Sequence, residues 1–131
     1  MTITPDTNVL VRVLVRDDGR QAAAAERVLS SAEQIALTLP SLCELVWVLM
    51  RHYDISREDT AATLRALMAV ESVTVDRHAV DFGLSVLEQG GDFADGVIAY
   101  EGQRLGGMVF VSFDRQAVKQ VRAAGGQARA P

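Results

Sequence analysis

Four acidic residues stand where predicted strands end and predicted helices begin, and carboxylates placed in this way could bind a divalent cation. They are Asp6, Glu44, Asp95 and Asp114. The carboxyl ends of parallel strands share one edge of a sheet, so side chains that are far apart in sequence can converge there. Converging carboxylates repel one another unless a cation lies between them, and hard oxygen ligands favour Mg²⁺ or Mn²⁺. The pattern therefore predicts a Mg²⁺ or Mn²⁺ site.

The elements that must position these acids alternate between strand and helix. Predicted strands cover residues 2–5, 35–39, 73–75 and 108–112. Predicted helices cover residues 7–16, 21–32, 41–53, 56–70, 76–89, 92–105 and 114–123, and residues 125–131 are expected to be a loose tail or a short edge strand. This alternation predicts an α/β fold with a mostly parallel sheet of four or five strands and helices on both faces.

Size and composition predict one globular domain, residues 1–131, with 49% hydrophobic residues to supply its core. No apolar run approaches the roughly 20 residues of a membrane span, and no signal-peptide pattern opens the chain. We therefore expect a cytoplasmic protein with no membrane association. The net charge of −4 argues mildly against a nucleic-acid partner, since such proteins are usually basic. That objection weakens if several of the acids bind cations.

Each acid also has a purely structural explanation, because acids cap helix N-termini and interact favourably with the helix dipole. The segment from Ser41 to Glu44 fits a capping box, with Glu44 at the third helical position. Asp92 fits a cap that places Asp95 in the first helical turn. Capping and ligation are compatible, and the presence of four such acids favours a shared site.

Two neutral polar residues stand next to these acids. Asn8 and Ser112 could orient carboxylates, water or phosphate, or they could bond to nearby backbone. Arg12, Arg16 and Arg115 are candidates for holding flanking phosphates of a nucleic acid. Trp47 is assigned to the core or to an interface.

Four segments resemble, in order, the motifs of PIN-domain proteins, especially the VapC toxin ribonucleases of VapBC-type toxin–antitoxin pairs. They are residues 6–12, 44–49, 92–99 and 112–114, where Ser112 stands at a position that more often holds Thr. Carried over residue by residue, the acidic site of the family falls on the same four acids, with Asn8 and Ser112 in supporting places.

The resemblance implies a three-layer α/β/α domain and a Mg²⁺- or Mn²⁺-dependent endoribonuclease. It also implies an RNA substrate, a homodimer and inhibition by a cognate antitoxin protein. Two alternatives stay open. One is a receiver-like Mg²⁺-binding signalling domain, although Glu44 stands where its phosphoacceptor would be expected. The other is a catalytically inactive PIN scaffold that binds RNA or protein.

Overall fold

A computed structural model describes the whole chain, residues 1–131, which divides into an N-terminal unit, Met1–Val75, and a C-terminal unit, Asp76–Pro131. Both units alternate helix and strand, and every strand pair in them is parallel. The predicted α/β class and the predicted parallel pairing are therefore confirmed. No helix combines the length and the hydropathy that are needed to cross a membrane.

The N-terminal unit contains three strands, four α-helices and a π-helical segment. Its strands are β1 (Thr2–Ile3), β2 (Gln34–Ala36) and β3 (Val73–Thr74). Its helices are α1 (Thr7–Val15), α2 (Gly19–Ser31), α3 (Leu39–Trp47) and α4 (Arg57–Met68), and the π-helical segment, Val48–His52, continues α3. Strand β2 is central, with Ile35 opposite Ile3 on one side and opposite Val73 on the other.

The C-terminal unit contains a helical pair followed by a small parallel sheet. Its elements are α5 (Arg77–Glu88), α6 (Phe93–Arg104), β4 (Val109–Val111), α7 (Arg115–Ala123) and β5 (Gln127–Arg129). Val109 lies opposite Gln127 in the β4–β5 pair, and Val111 lies opposite Arg129. Helix α7 forms the crossover that two parallel strands require.

One of the sequence-based expectations about the strands is wrong, and one of two alternatives for the C-terminal residues is confirmed. The five strands form a three-stranded and a two-stranded sheet in separate units instead of one sheet of four or five. Residues 127–129 form a short edge strand instead of a loose tail, because β5 pairs with β4, and this confirms the second of the two expectations for the C-terminal segment. Strands of two or three residues carry too little local signal to specify their partners, so pairing depends on tertiary packing.

Helix packing determines the positions of the helical segments that contain Glu44 and Asp95. Helix α3 buries Leu42, Leu45 and Val46, which leaves Glu44 on its exposed side. At the start of α6, Phe93 is fully buried. A Cβ at Gly96 would lie only 2.8 Å from the Cα of Gly83, so α5 and α6 pack with their backbones in close approach. The first turn of α6 is thus held firmly by the core of its unit.

Candidate functional site

Asp6 caps helix α1 immediately after β1. Its Oδ1 accepts a hydrogen bond of 2.8 Å from the backbone N–H of Thr7. The capping explanation therefore holds for Asp6. Asp6 is exposed, and the single recorded bond uses one of its two oxygens, so the carboxylate can also serve as a ligand.

Glu44 does not cap a helix, so the capping-box interpretation is wrong. The cap of α3 is Thr38, whose hydroxyl accepts a 3.4 Å bond from the N–H of Ser41. Helix α3 begins at Leu39 because a leucine and a proline fill its first two positions, and proline is well tolerated there. Glu44 consequently lies inside the helix, beyond the unpaired N–H groups of the first turn. Helix capping therefore does not explain why an acidic residue occupies this position.

The side chain of Thr7 binds Glu44 from the neighbouring helix. The buried Thr7 hydroxyl donates a short hydrogen bond to Oε1 of Glu44. Because the backbone N–H of the same threonine donates to Asp6, one residue contacts both acids. Thr7 thereby fixes the two carboxylates relative to each other. The sequence analysis missed this residue, although its place directly after Asp6 was a usable signal.

Asp6 and Glu44 line one cavity of about 430 Å³ in the N-terminal unit. The rest of its lining mixes polar, cationic, aromatic and aliphatic side chains. It consists of Thr7, Asn8, Val11, Arg12, Trp47, Val48, His52 and Tyr53. Asn8, predicted to support the acids, therefore lies beside them in the cavity wall. The structure therefore places three of the six predicted site residues, Asp6, Asn8 and Glu44, around one cavity.

Arg12 lies at the edge of this cavity in a set of polar contacts. Its Nε donates to Oε1 of Gln21 at 2.5 Å, and its Nη1 lies 3.4 Å from Oδ1 of Asp17. The hydroxyl of Tyr53 donates to the other oxygen of Asp17 at 2.9 Å. These contacts, including the ion pair with Asp17, hold the guanidinium group of Arg12 in place. Arg16, by contrast, pairs with Glu26 at 3.1 Å on an exposed surface.

The other two predicted acids lie in the C-terminal unit and interact through their charges. Burial raises the pKa of Asp95 above its ordinary value, and the negative charges of Asp92 and Asp114 raise it further. A carboxylate in the first turn of a helix is normally stabilised in its charged form by the helix dipole. At Asp95 the burial and the two acidic neighbours outweigh that effect. The local negative charge is therefore insufficiently compensated.

Asp114 and Asp92 are helix caps, as their positions suggested. Oδ1 of Asp114 accepts from the N–H groups of Gln116 at 2.9 Å and Ala117 at 3.2 Å, and Asp92 accepts from Ala94 at 3.1 Å. Both bonds to Asp114 use the same oxygen. Ser112 bonds to nearby backbone, which was one of the two interpretations of this residue. Its hydroxyl accepts a hydrogen bond of 3.0 Å from the N–H of Asp114. It thereby orders the turn that presents Asp114.

The donor chemistry fits Mg²⁺ or Mn²⁺, since each unit supplies a pair of candidate carboxylates and these cations prefer oxygen ligands. Neither unit by itself brings three or more His, Cys, Asp or Glu side chains into a metal-binding group. The uncompensated charge around Asp95 is the kind that a divalent cation relieves. The assignment of all four acids as ligands stays a prediction.

Helix α7 of the C-terminal unit has a basic face. A cavity of about 700 Å³ is lined by Arg115, Lys119 and Arg122, which follow one another at helical spacing along one face of α7. No carboxylate forms a salt bridge with any of the three. Nε of Arg122 donates to the carbonyl of Ala128 at 2.7 Å, which orients its guanidinium group.

A family model for the PIN domain matches residues 3–124. The chain belongs to the PIN-domain family. The match runs through both units and includes all six predicted site residues, and it excludes the receiver-like alternative. PIN domains are generally nucleases and typically use divalent metal ions. The comparison with curated proteins finds no match.

Because PIN domains typically use divalent metal ions, the family context makes both acid pairs candidates for cation binding. Three observations bear on this context; the first was missed from the sequence, and the other two were predicted only in part. They are the contact of Thr7 with Glu44, the exposure of Trp47 and the basic face of α7. The signals for the last two were present: Trp47 follows Glu44 by three residues, and the cations of α7 recur at positions i, i+4 and i+7.

Proposed function

We propose that this PIN-domain protein is a Mg²⁺- or Mn²⁺-dependent endoribonuclease. Asp6, Glu44, Asp95 and Asp114 would hold the cation and serve one reaction, with Asn8 and Ser112 in supporting roles. The observation that carries the proposal is the position of Glu44. It is an exposed carboxylate inside a helix, has no capping role, and is held beside Asp6 by a threonine hydroxyl.

The proposed reaction is hydrolysis of an RNA phosphodiester by water. When bound, a divalent cation lowers the pKa of water and neutralises charge that develops on the phosphoryl group. The chain's own contribution is position: Thr7 orients Glu44, and Ser112 orders the turn before Asp114. In-line attack by water with departure of the 3′ oxygen leaves a 5′-phosphate and a 3′-hydroxyl.

The test is cleavage of RNA by purified protein with and without divalent cations, followed by analysis of the product ends. We expect cleavage with Mg²⁺ or Mn²⁺, no cleavage in excess chelator, and 5′-phosphate ends. Unchanged activity in the chelator would overturn the metal dependence. A 2′,3′-cyclic phosphate would instead indicate attack by the ribose hydroxyl. Complete inactivity with retained RNA binding would favour the inactive PIN scaffold.

We further propose the biological setting that the family resemblance implies, namely a cytoplasmic toxin that forms a homodimer and is inhibited by a cognate antitoxin protein. The ordered match to VapC-type motifs supports this setting. Sedimentation at micromolar concentration should show a dimer, and a protein that stays monomeric would remove the dimer from the proposal. A small antitoxin encoded beside this gene should suppress RNA cleavage when it is added in equimolar amount.

A further inference from the structure

Trp47 is the only tryptophan of the chain, and 63% of its surface is exposed. Trp47 is therefore not a core residue, and its alternative assignment to an interface stays a prediction. Its own helix buries three neighbours, Leu42, Leu45 and Val46, so burial on this helix is available to apolar residues. A side chain as large as tryptophan forgoes considerable hydrophobic stabilisation when it stays in water. The exposure of this indole is therefore better explained if Trp47 binds a ligand.

The indole lies in the wall of the cavity that contains the first acid pair. Trp47 follows Glu44 by three residues, so both side chains project from the same face of α3. Val48 and His52 continue this face into the π-helical segment, and all of them line the cavity with Asp6. Single-turn π-helical segments are frequent at functional sites. The tryptophan is thus beside the carboxylates instead of on a remote surface.

We propose that Trp47 is a stacking platform for a nucleobase of single-stranded RNA bound next to Asp6 and Glu44. This inference rests on the proposed function and adds a residue that positions the substrate. Aromatic side chains on many proteins that bind single-stranded nucleic acid stack against bases, because every base has a π-face. Arg12, which pairs with Asp17 at 3.4 Å, lines the same cavity.

The lining of the cavity favours RNA over a protein partner for this surface. Charged residues are depleted at the centres of protein–protein interfaces. Here the exposed indole shares its cavity with Asp6, Glu44 and Arg12. A protein partner would have to desolvate these charges, whereas a cation-bound RNA strand offers both phosphates and flat bases. A second copy of this chain on the same surface is the competing outcome of the test.

Because Trp47 is the sole tryptophan, its fluorescence reports on this site alone. Protein is titrated with a mixed-sequence oligoribonucleotide and with an abasic strand of equal length. Ca²⁺ replaces Mg²⁺ as an oxygen-bound cation, and gels verify that the strand stays intact. We expect the mixed-sequence strand to quench the fluorescence and the abasic strand to leave it nearly unchanged. Equal responses to both strands, or a change that depends only on protein concentration, would overturn the proposal.

Variants separate stacking from a structural role. Trp47→Ala should weaken binding of a labelled oligoribonucleotide by about 5- to 140-fold, the range expected for one lost base stack, and Trp47→Phe should retain most of the affinity. In cleavage assays Trp47→Ala should raise KM with little change in kcat. Leu105→Ala is the matched control, since Leu105 is an apolar side chain 89% exposed outside the cavity.

The two proposals fail in different ways. If wild-type protein cleaves RNA and Trp47→Ala has unchanged KM and unchanged affinity, the stacking role is wrong and the nuclease proposal stands. If wild-type protein shows base-dependent quenching but no cleavage with any divalent cation, the stacking role stands and the nuclease proposal is wrong. A loss of kcat at constant KM in Trp47→Ala would also count against stacking.

Discussion

The hydroxyl of Thr7 donates a hydrogen bond to the carboxylate of Glu44, joining the start of α1 to the middle of α3 across 37 positions of the sequence. The same threonine donates its backbone N–H to Asp6. One buried residue therefore sets the separation of two carboxylates. If these acids bind a cation, Thr7 acts as the residue that orients its ligands, and such residues strongly affect metal affinity.

Removal of the Thr7 hydroxyl should therefore weaken metal binding without unfolding the protein. Thr7→Val keeps the shape of the side chain but leaves Oε1 of Glu44 without its donor. We expect RNA cleavage and Mn²⁺ affinity to fall by roughly 10- to 100-fold. Thr7→Ser, which keeps the hydroxyl, should retain most of both. Equal activity of the two variants would show that the hydrogen bond has no functional role.

Glu44→Gln should abolish cleavage with little effect on stability. Its amide oxygen can still accept from Thr7, and the residue lies inside α3, where it caps nothing. The neutral amide is a poor ligand for a hard cation, so activity should fall at least about 10- to 100-fold. Melting temperature, metal affinity and cleavage are measured in parallel with Glu33→Gln, an exposed control outside the cavity. A fully active Glu44→Gln protein would remove Glu44 from the site.

The raised pKa of Asp95 predicts a pH-dependent cost to stability. A carboxyl whose pKa is higher in the folded than in the unfolded state destabilises the fold when it is ionised. The cost is present at neutral pH, above the folded-state pKa, and disappears as the pH falls below the ordinary value of 3.8. Asp95→Asn should therefore melt a few degrees higher than wild type at pH 7, with the difference shrinking toward pH 3.5.

With divalent cations present, wild type should melt at a higher temperature than Asp95→Asn, the reverse of the order expected without them. Mg²⁺ or Mn²⁺ that binds the folded wild type raises its melting temperature, whereas Asp95→Asn should gain less. The exposed Asp81→Asn in α5 provides a control that should follow wild type at every pH and with every cation. If Asp95→Asn is stabilised by Mn²⁺ as strongly as wild type, Asp95 does not contribute to cation binding.

The basic face of α7 should contribute to RNA binding through phosphate contacts. Each contact to a single strand adds about 0.7 to the slope of log affinity against log salt concentration. The double variant Arg115→Gln, Lys119→Gln should therefore lower that slope by up to about 1.4 and weaken binding similarly for all sequences. Arg16→Gln is the control, because Arg16 already pairs with Glu26. An unchanged slope would exclude this face from the RNA path.

The sequence by itself determined the features that arise from local patterns. Helical spacing of apolar residues and the placement of turn and cap residues predicted all seven α-helices, with Asp92 and Asp114 as caps. These features depend on neighbouring residues, and capping bonds span only two or three positions. The order of the acidic motifs also sufficed to predict the PIN-domain family.

Only the tertiary structure decided the features that depend on contacts between distant segments. The pairing of β4 with β5 could not be predicted, because such short strands carry no pattern that selects a partner. The start of α3 at Leu39 removed the capping explanation of Glu44, and helix packing joined that residue to Thr7. The exposure of Trp47 depends in the same way on which elements cover α3. Burial and contacts at long sequence separation are properties of the packed chain, and hydrophobic spacing specifies which face is buried but not what it meets.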